Sequence, residues 1–235
     1  METDSNTPLP APTEEQFTAL NHAYNYFNEH LFEGKLPGCI LNFSRKKNTH
    51  GFLAPERWRR VDEKNKYIHE ISLTPITFYR PLKEVFSTLV HEMVHLWQWE
   101  FGKPSRNGYH NKEWALKMES IGLIPSNTGK EGGKKTGQQM THYIKPDGVY
   151  EVTFERIPTS YLLPFTSLEG DLFQAALAKR EGNEGEDIRR SEMAKKYRPS
   201  PKKTKYSCHN CGFNVWGKPN LSLICGSCRN NYEKN

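Results

Sequence analysis

No run in this sequence approaches the roughly 20 consecutive apolar residues that a transmembrane helix needs, so no membrane-spanning helix is expected and no membrane partner. The opening stretch, METDSNTPLPAPTEEQF, has neither a basic n-region nor an apolar h-region. That argues against a secretory signal and predicts an intracellular protein, cytoplasmic or nucleoid-associated. Cysteine is scarce: the 235 residues hold five, and four of these form two C-x-x-C pairs near the C-terminus. In an intracellular chain that placement favours metal thiolates over disulfides. The fifth, Cys39 in LPGCILNF, stands alone and reads as a small buried hydrophobe. Internal repeats are also missing.

What is present suits one ordinary domain and a small second module, with 35% apolar and 26% charged residues. The charge is unevenly placed. From Lys195 onward there are nine Lys/Arg and one acid, a balance of +8, whereas the preceding 194 residues carry 24 against 26, or −2. An anionic partner is therefore expected for the tail alone. Phe17, Leu20, Tyr24, Phe27 and Leu31 recur at helical spacing, with Gly34 able to close the helix. CILNFS and KYIHEISL read as strands, separated by basic, turn-rich residues. Arg80-Pro81 opens a second helix that stops at Gly102, and a third is expected from about Asn111 to Ser120, ended by Gly122. SNTGKEGGKKTGQQMTHYI reads as an exposed loop and GVYEVTFE as a further strand. The polar stretch from about 165 to 206 reads as linker, with a short helix near 168 to 180.

The second helix contains STLVHEMVHLWQWEFG. His91 and His95, four apart, project from one face at a spacing that a single Zn²⁺ can bridge. Glu92 lies about 100° around the helix, placed to reach a metal-bound water rather than the metal. Phe86, Leu89, Val90, Met93, Val94 and Trp97 form the opposite, anchoring side. A catalytic zinc normally takes three protein ligands. His110 in NGYHNKEW is the foremost candidate for the third, with Glu113 the rival carboxylate and His142 in MTHYI more distant. His22, His30, His50 and His69 lie in plainer contexts. Zinc would acidify water and polarise a scissile carbonyl, with Glu92 moving the proton to the leaving amine. Tyr143 and His142 are conceivable oxyanion donors, but core or surface roles suit them better, and that donor is left unassigned.

These motifs resemble the SprT-like (Spartan-type) zinc metallopeptidase domain. HEMVHLWQW followed by YHNKEW is similar to that family's H-E-x-x-H and its third histidine some fifteen residues on; His95 and His110 are 15 apart, flanked by Asn111 and Trp114. TGQQMTHYI is similar to a downstream segment of bacterial members. The resemblance covers roughly residues 14 to 150. It implies His91, His95 and His110 as zinc ligands, Glu92 as general base, and His110 rather than Glu113 as the third ligand.

Near the C-terminus, YSCHNCGFNVWGKPNLSLICGSCRNNY gives C-x₂-C, thirteen residues, then C-x₂-C. Cys208, Cys211, Cys225 and Cys228 can close a tetrahedral thiolate site, and so short a module could not bury enough core without one. His209 lies between two of the sulfurs. The pattern is that of a zinc ribbon with two knuckles, each given a turn glycine, Gly212 and Gly226. Four thiolates leave no open position, so this zinc is structural. Lys202, Lys203 and Lys205 with Trp216, beside Phe213, suit phosphate contact and base stacking, hence DNA binding. SprT-like proteins often carry such a ribbon, and their known members act on DNA-bound proteins.

The expected architecture is α+β. It comprises a small zincin-like metallopeptidase domain at 13–165, after a disordered 1–12, then a charged linker at 166–205 and a zinc ribbon at 206–231. KYIHEISL is the expected edge strand for an extended substrate. The leading functional expectation is a zinc endopeptidase, with two zincs, acting on DNA-bound or DNA-crosslinked proteins. The alternatives are a catalytically silent nucleic-acid-binding regulator and an interaction module whose two zincs are both structural.

Overall fold

A computed structural model describes residues 10–46, 48–106, 108–170 and 203–234. The chain divides into two compact units between residues 184 and 185.

The first unit begins with α1 (Pro12–Phe32), which has proline in its first turn, where a missing N–H costs nothing. Leu20, Tyr24, Phe27 and Leu31 are buried along one stripe, as the spacing predicts. The helix ends where Glu33 and Gly34 turn left-handed, at φ 60° and 67°. Three strands follow: β1 (Ile40–Phe43), β2 (Gly51–Arg59) and β3 (Tyr67–Leu73). Their order is β1-β3-β2, with β1 parallel and β2 antiparallel to β3.

That order corrects two expectations. KYIHEISL is the central strand, paired on both sides, so it has no free edge to offer a substrate. The edges are β1 and β2, and β2, the one beside the helix Leu82–Phe101, lies in the stretch read as basic and turn-rich. Pro55 and three charged residues disguise that strand, and the pairing accommodates them with an irregularity between Ala54 and Trp58.

The long helix α2 (Leu82–Phe101) starts after Pro81 and stops at Gly102. Val85, Phe86, Leu89, Val90, Met93, Val94 and Leu96 are buried, and so are His91 and Glu92. The helix is thus covered on its polar side as well as its apolar side. Asn111 caps α3 (Lys112–Ser120), its side chain accepting the Trp114 N–H at 3.0 Å. β4 (Leu123–Ser126) and β5 (Thr141–Ile144) then form an antiparallel pair. The stretch read as an exposed loop therefore ends in a strand.

GVYEVTFE is the helix α4 (Val149–Glu155), not a strand. Its β-branched residues suggested otherwise, but Tyr150 and Thr153 are the buried pair, a helical spacing. Tyr150 stacks on Phe27 at 5.7 Å and donates its hydroxyl to the Lys83 carbonyl at 2.5 Å, so packing overrides propensity. Phe27, Phe86, Leu89, Met93, Trp114 and Tyr150 build one continuous core with Ile71 and Leu73 of the sheet. Beyond α4, Gln16 exchanges hydrogen bonds with the Phe165 backbone at 3.0 and 3.1 Å. The helix expected near 168 to 180 falls largely outside the described residues.

The second unit holds β6 (Thr204–Ser207), β7 (Asn214–Gly217) and β8 (Glu233–Lys234) in the order β7-β6-β8. Small sheets with helices in one unit and a small sheet with four cysteines on its connecting turns in the other make the molecule α+β. Among the described residues no helix is long and apolar enough to cross a membrane.

Candidate metal centres

Three imidazoles converge in the first unit. Four-residue spacing on α2 stacks His91 and His95 one turn apart, with ring centroids at 5.1 Å. The capped start of α3 brings in His110, whose Nε2 lies 3.1 Å from Nε2 of His95. One ligand nitrogen from each of the three fits within 4.8 Å of the others. Zinc–nitrogen bonds of about 2.1 Å in tetrahedral array would set such nitrogens ~3.4 Å apart, so this donor set fits a zinc ion. His91 and His110 are buried, while His95 keeps partial exposure. Trp114 lies against all three, with centroids 4.9, 5.3 and 4.4 Å from His91, His95 and His110, fixing the rings by packing.

Electrostatics agree with ligation. Burial first, and neighbouring imidazoles second, drive His91 well below its ordinary value and His95 down to about 3. Burial also lowers His110, against hydrogen bonds from its ring to backbone. All three are held neutral, the form that binds metal. Burial pushes the Glu92 carboxyl up to about 8, opposed by a hydrogen bond from the Leu53 backbone. Glu92 thus lies close against edge strand β2. Close approach is possible because position 51 is glycine: a Cβ there would meet the Ser72 carbonyl oxygen at 3.0 Å and Glu92 Cγ at 3.3 Å.

Glu113 is not part of the cluster. Its carboxylate accepts from the Lys103 N–H and Gln98 Nε2, each at 2.7 Å, and so braces the turn after α2. His142 is not a fourth member either; its Nδ1 lies 3.1 Å from Nδ1 of His91, behind the cluster. Tyr143 pairs with Ile124 in the β4–β5 ladder. His22, His30, His50 and His69 are outside the cluster, and His69 instead faces Glu100 at 3.0 Å. Sequence reasoning missed Gly137. Its carbonyl accepts the His110 backbone N–H at 2.8 Å and faces His110 Nδ1 at 3.2 Å. Only the glycine-rich character of 129–137 hinted at a special backbone there.

In the second unit the four sulfurs gather. Cys208 Sγ is 3.3 Å from Cys228, Cys211 is 3.4 Å from Cys225, and Cys211 is 3.9 Å from Cys228. A disulfide requires about 2.05 Å, whereas thiolates around one zinc sit ~3.8 Å apart, so a tetrahedral metal suits these distances. Backbone N–H groups of Cys228 and Ser227, followed by the Cys211 side chain, lower the Cys225 thiol to about 6. The first knuckle turns at Gly212, φ 73°, as expected. The second turns at Arg229, φ 58°, and not at Gly226. The reason is register: Gly212 and Arg229 each donate N–H to the carbonyl four residues back, of Cys208 and Cys225. His209 is exposed and faces Glu233 at 3.0 Å.

Lys205 and Trp216 are directly paired across β6 and β7 and share one face. Trp216 and Phe213 are each 60% exposed, and Lys203 is exposed as well. Lys202 lies outside the described residues.

The SprT-like family model matches residues 20–133, a span that holds all three histidines and Glu92. An uncharacterised protein from the mucB 3′ region of Salmonella typhimurium is 40% identical over 47 residues, 20% of this chain. The chain spans 64% of that relative's length. No solved structure matches the chain. The family match supports a metallopeptidase-type function, and the two ligand clusters are consistent with zinc. Over residues 20–133 this chain is therefore similar to the SprT-like family.

Proposed function

We propose that this protein is a zinc-dependent endopeptidase that cuts proteins bound or crosslinked to DNA. The observation that carries the reading is the cluster of three imidazoles, buried His91 and His110 with half-buried His95, and buried Glu92 on the same helix. Zinc held there supplies Lewis acidity, polarising the scissile carbonyl and acidifying water. Glu92 takes the attacking water's proton on its carboxylate and delivers it to the leaving amine nitrogen. An extended substrate adds to the open edge of β2, where Gly51–Ala54 run beside α2. Such an edge reads backbone, so many sequences are accepted.

The DNA part of the reading is supported by the +8 balance of the tail and by the lysine–aromatic face of the second unit. Lys202, Lys203 and Lys205 provide phosphate contacts, and Trp216 with Phe213 offers stacking surfaces. The Cys208, Cys211, Cys225 and Cys228 site holds a second, structural zinc.

The test measures zinc per chain and cleavage of a DNA-crosslinked protein. Two zincs are expected for wild type and Glu113→Ala, and one for His110→Ala. Glu92→Gln should keep both zincs and lose about 10²–10⁴-fold in rate. Undiminished cleavage by Glu92→Gln would sink the mechanism. One zinc in all variants would leave only the ribbon and turn the reading to a nucleic-acid-binding regulator.

A further inference from the structure

His91 and His110 both have the nitrogen facing away from the cluster occupied, by different means. His110 donates its Nδ1–H to the Gly137 carbonyl at 3.2 Å. His91 Nδ1 faces another imidazole, Nδ1 of His142, at 3.1 Å. Two nitrogens sharing a hydrogen bond hold one proton between them, and the groups behind His142 decide whose it is. His142 Nε2 lies 2.9 Å from Ser87 Oγ, and Ser87 Oγ lies 2.8 Å from the Glu84 carbonyl oxygen. A carbonyl only accepts, so the Ser87 hydroxyl spends its proton there. Ser87 Oγ then accepts from His142 Nε2–H. A neutral His142 with its proton on Nε2 has a bare Nδ1, which accepts from His91 Nδ1–H. The lone pair of His91 is left on Nε2. Reversing every bond in the row would put a proton on His91 Nε2 and remove that lone pair.

From this row of atoms we propose that His142 and Ser87 are positioning residues that set the tautomer and ring orientation of His91, and through them the affinity of the three-imidazole site for its metal. The inference rests on the zinc reading above. Ser87 and His91 are one helical turn apart on α2, and β5 supplies the ring that bridges them. Metal-binding imidazoles more often rest on a carboxylate or a carbonyl, and losing such a partner typically costs 10- to 100-fold in metal affinity.

The experiment titrates zinc out of the full chain against a chelator, with the four-cysteine zinc as internal reference. His142→Leu should weaken the histidine site by about 10- to 100-fold, and Ser87→Ala should shift it less in the same direction. His142→Gln, whose amide offers both an acceptor and a donor, should stay within a few-fold of wild type. The melting temperature of metal-free His142→Leu should match wild type, which a purely structural role would lower. Long-range ¹H–¹⁵N correlation on the zinc-loaded chain should find the His142 proton on Nε2. Unchanged affinity in His142→Leu, equal losses in the Leu and Gln variants, or a proton on Nδ1 overturns the proposal. A wild type holding only the ribbon zinc removes the zinc reading itself.

Discussion

The two ligand clusters are made in opposite ways. His91 and His95 stand on α2 and His110 just before the cap of α3, all held by a core of more than twenty buried apolar side chains. The cysteines stand on turns whose unit, among its described residues, buries only Tyr206, Cys208 and Cys225 as apolar side chains. In the first unit the fold makes the site; in the second the site makes the fold. A prebuilt site can keep an open coordination position for chemistry, because stability does not depend on the metal. A site that replaces a core must use every position for protein.

The largest expected effect tests the second half of that contrast. Structural zinc in small modules contributes an apparent ~10–16 kcal/mol. Stripping zinc should therefore unfold residues 203–234 while the helical circular dichroism of the first unit persists. Thiol labelling at pH 8 reads the same event: four cysteines become reactive, while Cys39 stays protected because burial holds its thiol up at about 12. Labelling of Cys39 together with the others would show that the first unit, too, depends on metal. Next in size, Trp114→Ala should cost the first unit about 3–5 kcal/mol in a denaturant titration, as core aromatic deletions do. It should also loosen zinc at the histidines, because the indole packs on all three rings. The smallest is Arg229→Gly, which should stabilise the zinc-loaded second unit by about 1 kcal/mol by relieving the left-handed backbone. No gain in thermal stability would mean that the arginine side chain compensates there.

What the sequence revealed follows the range of each interaction. The ligand helix and the cysteine knuckles are local patterns, with spacing set by one helical turn or one tight turn, and both were legible. β2 was hidden because Pro55 and its charges are tolerated only at an edge, and edge position is a property of the whole sheet. α4 was misread because its partners, Phe27 and the Lys83 carbonyl, come from α1 and α2. His142 was legible only as a distant ligand candidate or oxyanion donor, and nothing local pointed to a place behind His91. Its role comes from a contact with His91 across 51 positions in the chain. The family match ends at residue 133, before both Gly137 and His142.

The irregularity in β2 has a consequence for the company this molecule keeps. An exposed strand edge invites other copies to join it, and long flat edges seed aggregates. Here the regular stretch opposite Glu70–Leu73 runs only from Gly51 to Ala54, and Pro55 follows at once. Four residues at about 3.3 Å each offer ~13 Å of pairing surface. For the endopeptidase proposed above, that length would be enough to hold a short extended segment of substrate. It is too short a template for one copy of the chain to capture another.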